Sequence, residues 1–175
     1  MEPTEQGSKA ENAKWKGKAT TIVKGGKVEQ VWPLLEDFFG LDKWFPSIST
    51  CVPIEGISGL PGCVRFCAGF KTPVEVDDHH KQTVNWTKQK LLSIDPTLRT
   101  FTYSIVDGNI GFHSYVSTWK LLQKEDGCEI QWFYEVEPVK GWKLEYLDSF
   151  IHTGLQVVAQ RMQAAFKTLE EAVRA

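Results

Sequence analysis

The sequence lacks an excess of charge of either sign: 20 Lys+Arg stand against 22 Asp+Glu, a formal charge of -2 over 175 residues. That balance argues against a dedicated nucleic-acid binder, whose affinity comes from clustered Lys and Arg neutralising phosphates, and no basic run here is long enough. An apolar run is also missing from residues 1–14, where Glu2, Glu5, Lys9, Glu11 and Lys14 are spread through the segment. It reads as neither a signal peptide nor a membrane anchor but as a disordered polar leader, so no membrane insertion and a cytosolic location are expected. Cysteine is sparse, and Cys51, Cys63, Cys67 and Cys128 fit reduced thiols, not a disulfide framework. Were Cys63 and Cys67 on one strand, four steps would separate them by ~13 Å, too far to share a zinc ion. HExxH, CxxC, a Walker-type phosphate loop and a GxSxG nucleophile elbow are all absent, and neither metal nor cofactor is expected. Glu75, Asp77, Asp78, His79 and His80 crowd one stretch, which reads as a solvated loop in preference to a metal site.

What the chain does have is apolar and aromatic: hydrophobic residues make up 42 % of it, with ten Phe and seven Trp. At roughly 100 to 200 residues per domain, this length predicts a single domain, here 15–175, with one core large enough to hold a cavity. A monomer is the expected state. Residues 15–24 alternate Trp15, Gly17, Ala19, Thr21 and Val23 against polar neighbours, the period of a half-buried strand that Gly25-Gly26 ends. Val28, Val31, Leu35 and Phe38 predict a helix over 27–40 that Pro33 kinks or shifts, followed by a short turn over 41–45. Strands separated by turn chemistry at 58–62, 95–96, 107–109 and 125–127 follow as a meander. From Leu144 to Val173 nine apolar residues recur at spacings of three and four, which predicts one long helix. Gly154 within it points to close backbone approach or to space left for a ligand. The element order predicts an α+β domain, an antiparallel sheet gripping its C-terminal helix.

Strand alternation then separates two faces. On the first strand one face carries Cys63, Arg65 and Cys67 and the other Val64, Phe66 and Ala68. On the next one carries Asn85, Thr87, Gln89 and Leu91 and the other Val84, Trp86, Lys88 and Lys90, so that Arg65 falls either inward or on the convex surface. On the third the apolar, inner face is Phe101, Tyr103 and Ile105. The last two inner faces carry His113, Tyr115, Ser117, Trp119 and Leu121, then Cys128, Ile130, Trp132, Tyr134 and Val136. If the strands meander, Arg65, Gln89, Tyr103 and Tyr115 converge beneath the helix. An aromatic-walled pocket with few polar groups is the usual form of a small-molecule site, and Phe101, Tyr103, Trp119, Trp132 and Phe150 are its expected wall.

Gly62-Cys63-Val64-Arg65, Gly111-Phe112-His113-Ser114-Tyr115, Trp15-Lys16-Gly17-Lys18 and the long C-terminal helix resemble the plant lachrymatory-factor-synthase-like group. That group lies within the polyketide cyclase/dehydrase and lipid transport families of the START-like, birch-pollen-allergen superfamily. The resemblance implies a helix-grip fold: two short helices after the first strand, and a seven-stranded antiparallel sheet round a long helix, enclosing a hydrophobic cavity. It also implies a cofactor-free rearrangement of an alkenyl sulfenic acid to a thial S-oxide by an Arg, a Glu and a Tyr. Arg65 and Tyr115 match the first and last of these, whereas the Glu falls on Gln89. A carboxylate shuttles a proton between carbon and oxygen; a neutral amide only orients and hydrogen-bonds. The expectation is therefore a protein that holds a small lipophilic or aromatic metabolite, with Arg65 supplying a cation, Tyr115 a phenolic donor and Gln89 an orienting amide. A cofactor-free isomerase or cyclase using the same three residues is the alternative.

Overall fold

The computed structural model describes residues 13–45, 47–69 and 84–174. Strand β1 (Trp15–Lys24) leads into helix α1 (Val28–Glu36) and a 3-10 turn (Phe38–Lys43). Strands β2 (Thr50–Glu55), β3 (Val64–Ala68), β4 (Trp86–Asp95), β5 (Thr100–Gly108), β6 (Val116–Lys124) and β7 (Gly127–Val136) follow, and helix α2 (Leu144–Arg174) ends the chain. All seven strands form one antiparallel sheet in the order β1-β7-β6-β5-β4-β3-β2. Strands β2 to β7 are the expected meander, and β1 closes it by pairing with β7 from Trp15↔Val136 to Lys24↔Gly127. The segment from α1 to the 3-10 turn carries the chain between the sheet's two outer strands.

The first helical region is shorter than its periodicity predicts. Helix α1 begins where the Lys27 amide donates to Gln30 Oε1 at 2.9 Å. It runs through Pro33, which lacks the N–H that would have met the Glu29 carbonyl. At Asp37 the backbone leaves the helical region (φ -71°, ψ 79°), and the chain re-forms as the 3-10 turn. Hydrogen bonds from the Trp44 and Phe45 amides to the Leu41 carbonyl extend the turning to Phe45. That delivers the Phe45 ring onto α2.

Helix α2 buries Leu147, Ile151, Leu155, Val158 and Met162 against the sheet, each at 1 % exposure or less. Full burial of such side chains is worth roughly 1.5 to 3 kcal/mol apiece, which fixes the helix far more firmly than its propensity does. The apolar stripe overruns this interface: Leu169 and Val173 are exposed, because the last turns project past the strands. Gly154 does admit a close neighbour, though an aromatic ring and not a backbone. A Cβ there would lie 2.5 Å from Phe45 Cζ. Tyr134 lies across Gly17, its cross-strand partner, and donates from its hydroxyl to Asp148 Oδ1 at 2.7 Å, tying β7 to α2. Among the described residues no helix is long and apolar enough to cross a membrane.

Candidate functional site

Between the sheet, α2 and the 3-10 turn lies a cavity with about 60 Å³ open to the centre of a water molecule. Adding a water's 1.4 Å radius around a compact space of that size gives roughly 200 Å³, room for about ten non-hydrogen atoms. Its strand side is Thr87 and Gln89 from β4, Tyr103 and Ile105 from β5, Trp119 from β6 and Trp132 from β7. Phe150 and Ile151 close it from α2; Leu41, Phe45 and Ile48 roof it. Tyr115 and Phe112 come from the segment just before β6.

The register explains the convergence. Arg65 pairs with Gln89, Gln89 with Ile105, and Leu91 with Tyr103, so inner-face residues of adjacent strands stand side by side. Tyr103, Tyr115, Trp119 and Trp132 reach the cavity on the face that alternation marks as inner, Gln89 reaches it from β4, and Phe150 reaches it from α2. Arg65 and Phe101 do not line it: they border a second, smaller void, with Leu41 and Trp119 lining both spaces. His113 is exposed where alternation placed it inward. Gly111 and Ser114 adopt left-handed φ of 96° and 54°, so the chain has not yet entered strand geometry there. Phe112 takes the inward place, 5.6 Å from the Tyr115 ring and 5.5 Å from Trp142. No period in the sequence could have shown it.

Arg65 is buried and held by two hydrogen bonds and two rings. Its Nε donates to Gln89 Oε1 at 2.8 Å, its Nη1 to the Phe38 carbonyl at 2.8 Å, and its guanidinium lies 3.7 Å from the Phe38 ring centre and 5.1 Å from that of Tyr103. Gln89 is committed at both ends, since its Nε2 donates to Thr87 Oγ1 at 3.1 Å. The carbonyl of the 3-10 turn and the Phe38 ring thus hold the cation away from the cavity.

On the cavity wall the polar groups form a relay. Trp132 Nε1–H donates to Ser117 Oγ at 2.8 Å, and the Ser117 hydroxyl donates to Tyr115 Oη at 2.6 Å. The Tyr115 proton is thereby left to point elsewhere. Tyr103 stands next, its ring 6.3 Å from that of Tyr115. Trp119 is 2 % exposed, and its Nε1–H makes no hydrogen bond of full geometry among the described residues, although it lies near enough to the Tyr103 hydroxyl to hold that phenol's pKa down.

Burial raises the Tyr103 hydroxyl above the usual phenol range, against the pull of Arg65, and raises Tyr115 well above it, with Tyr103 adding to the effect. Both groups favour the neutral form on folding, so their contribution to stability is complete below the unfolded pKa near 10 and declines as pH rises beyond it. Urea midpoints measured from pH 8 to pH 12 should hold level to about pH 10 and then fall, with a shallower fall in Tyr115→Phe. Equal alkaline slopes in the two proteins would mean that this phenol is not buried as described.

Among the described residues no group of three His, Cys, Asp or Glu is placed to hold a metal ion. The 75–80 cluster lies outside the described residues, as does the leader up to residue 12.

An antiparallel seven-stranded sheet gripping one long helix, with an aromatic cavity between them, defines a helix-grip protein. Residues 14–173 match the family described as polyketide cyclase / dehydrase and lipid transport. The chain belongs to that family. Solved structures repeat the fold. Major latex-like protein 151 from Panax ginseng superposes with a TM-score of 0.69 at 16 % identity, covering 87 % of this chain and 97 % of that one. A protein from Nitrosospira multiformis gives 0.67 at 20 % identity over 87 % and 99 %. XoxI from Bacillus cereus gives 0.64 at 23 % identity over 90 % and 98 %.

Proposed function

We propose that this chain binds a small, neutral, largely apolar molecule carrying one hydrogen-bond-accepting oxygen, which takes the Trp119 Nε1–H and lies beside the Tyr115 hydroxyl. The observation that carries the reading is the Trp119 indole on the cavity wall, whose buried Nε1–H has only a poorly formed contact with the Tyr103 hydroxyl, so that a small movement of the ring offers it to a ligand oxygen. Three further features support it. Among the described residues the lining has no Asp, Glu, His, Lys or Arg; Arg65 lies outside the lining and donates to Gln89 and the Phe38 carbonyl; and burial of the two phenols disfavours negative charge nearby. An acidic ligand head would therefore lose its hydration without gaining a cationic partner among the described residues. The cavity suits a ring with a short substituent; an extended acyl chain would need the roof to open.

This reading sets the chain beside the lachrymatory-factor-synthase-like proteins as a binder. The isomerase alternative needs a base where Gln89 stands, and both ends of that amide are occupied. Acetophenone, α-methylstyrene and benzoate share a ring and nearly the same size, and differ as neutral acceptor, hydrocarbon and anion. Calorimetric titration should rank acetophenone about tenfold above α-methylstyrene, a difference of about 1.4 kcal/mol, with benzoate weakest. Equal binding of ketone and alkene, or preference for benzoate, would refute the reading.

A further inference from the structure

Cys51 on β2 and Cys67 on β3 face each other across the strand pair, and their sulfurs are 3.9 Å apart. Directly opposed antiparallel residues have Cα separations of about 4.5 or 5.5 Å, both within the range a disulfide spans. Closing the sulfurs to about 2.04 Å is then a matter of side-chain rotation and a small shift. β2 is an outer strand of the sheet and has only β3 beside it, so the shift meets little resistance. The two thiols are not equivalent: Cys51 is half-buried and reachable from solvent, whereas Cys67 is fully buried. Neither takes part in the ligand cavity.

We propose that Cys51 and Cys67 are a hydroperoxide-responsive dithiol that closes reversibly into a cross-strand disulfide. The Cys51 thiolate attacks the outer oxygen of a hydroperoxide. The O–O bond breaks, the peroxide is reduced to an alcohol or water, and Cys51 is oxidised to the sulfenic acid. Cys67 then attacks the Cys51 sulfur; the S–O bond breaks, hydroxide leaves with the Cys67 proton as water, and the S–S bond forms. Overall, two thiols and one hydroperoxide give one disulfide, one alcohol or water, and one water.

The surroundings favour Cys51 as the attacking sulfur. Its thiol pKa is lowered to about 7, first by the hydrogen bond that the Cys67 thiol donates to it, then by Arg65 on β3 and the Leu41 amide of the 3-10 turn. Burial and Asp42 on that turn act in the opposite direction. Cys67 shifts upward, so it stays protonated and supplies the proton that the second step needs. Cys63 and Cys128, both buried and both raised, lack this activation.

The test uses the intact protein and hydrogen peroxide. Intact mass should show loss of two hydrogen atoms, reversed by dithiothreitol, and non-reducing peptide mapping should link Cys51 to Cys67. The rate should be half-maximal near pH 7, below the ordinary thiol value of about 8.5. Cys67→Ser should stop at a sulfenic acid on Cys51 that dimedone traps, and Cys51→Ser should form no disulfide; circular dichroism verifies that each variant is folded. The oxidised wild type should also melt several degrees higher, since the link closes a loop of about 15 residues. Survival of all four thiols in the wild type, or oxidation that begins at Cys63 or Cys128, would overturn the proposal.

Discussion

Replacing Arg65 with Ala should lower the folding free energy by about 3 to 5 kcal/mol, because it strips donors from two buried acceptors and opens a void beneath two rings. The Phe38 carbonyl and Gln89 Oε1 both lose the group that satisfies them, and the Phe38 and Tyr103 rings lose the cation between them. Among the described residues Arg65 forms no ion pair, so its partners are all neutral and its removal leaves no opposite charge stranded. Arg65→Met, which keeps the length of the side chain, should recover part of the loss by filling the void while leaving the acceptors unmet. Urea denaturation checks both, with a midpoint shift of more than about 1 M expected for Ala. Unchanged stability together with lost affinity for benzoate would instead make Arg65 a ligand-binding cation.

Trp119→Phe carries the second large effect, and its signature is a pair of opposite signs. The substitution keeps an aromatic ring beside Phe101 and Trp132, which lie 5.8 and 4.7 Å away, but deletes the N–H. Without ligand that N–H has only a poorly formed contact with the Tyr103 hydroxyl, so removing it should leave stability within about 1 kcal/mol of the wild type or raise it. In the liganded protein it holds the acceptor oxygen, so the roughly tenfold preference for acetophenone over α-methylstyrene should collapse to parity, with affinity for the alkene little changed. Denaturation and titration of the same preparation separate the two terms. A variant that is less stable and equally selective would show the indole to be packing alone.

Much of the site can be read from strand alternation because it sits on regular strands. Arg65, Gln89, Tyr103, Trp119 and Trp132 occupy β3 to β7, where a period of two leaves each side chain a choice of only two faces; an aromatic run makes the inner one plain on β5, β6 and β7, while on β3 and β4 the alternation leaves both faces open. The reading fails where the chain leaves strand geometry. His113 and Phe112 exchange places because residues 111 and 114 are left-handed, and Leu41, Phe45 and Ile48 form the roof from segments with no repeating pattern. The fate of Arg65 illustrates a different limit. The alternation leaves it a choice of two faces, and the Phe38 carbonyl that draws its guanidinium out of the cavity comes from a turn 27 residues earlier, where only tertiary packing brings it. The poorly satisfied indole is likewise a property of what surrounds Trp119, not of its place in the chain. Gln89 in the position of the synthase Glu is legible, and the structure adds that the amide is held at both ends.

The most direct measurement is the indole region of a ¹H–¹⁵N correlation spectrum, with the Trp119 resonance assigned from Trp119→Phe and followed during titration with acetophenone and then with α-methylstyrene. The account predicts that the ketone moves the Trp119 Nε1–H downfield and slows its exchange with solvent, while the alkene shifts neighbouring cavity resonances and leaves that proton without a new hydrogen bond. A Trp119 resonance that responds identically to both ligands, or that stays still while the ketone binds elsewhere, would contradict it.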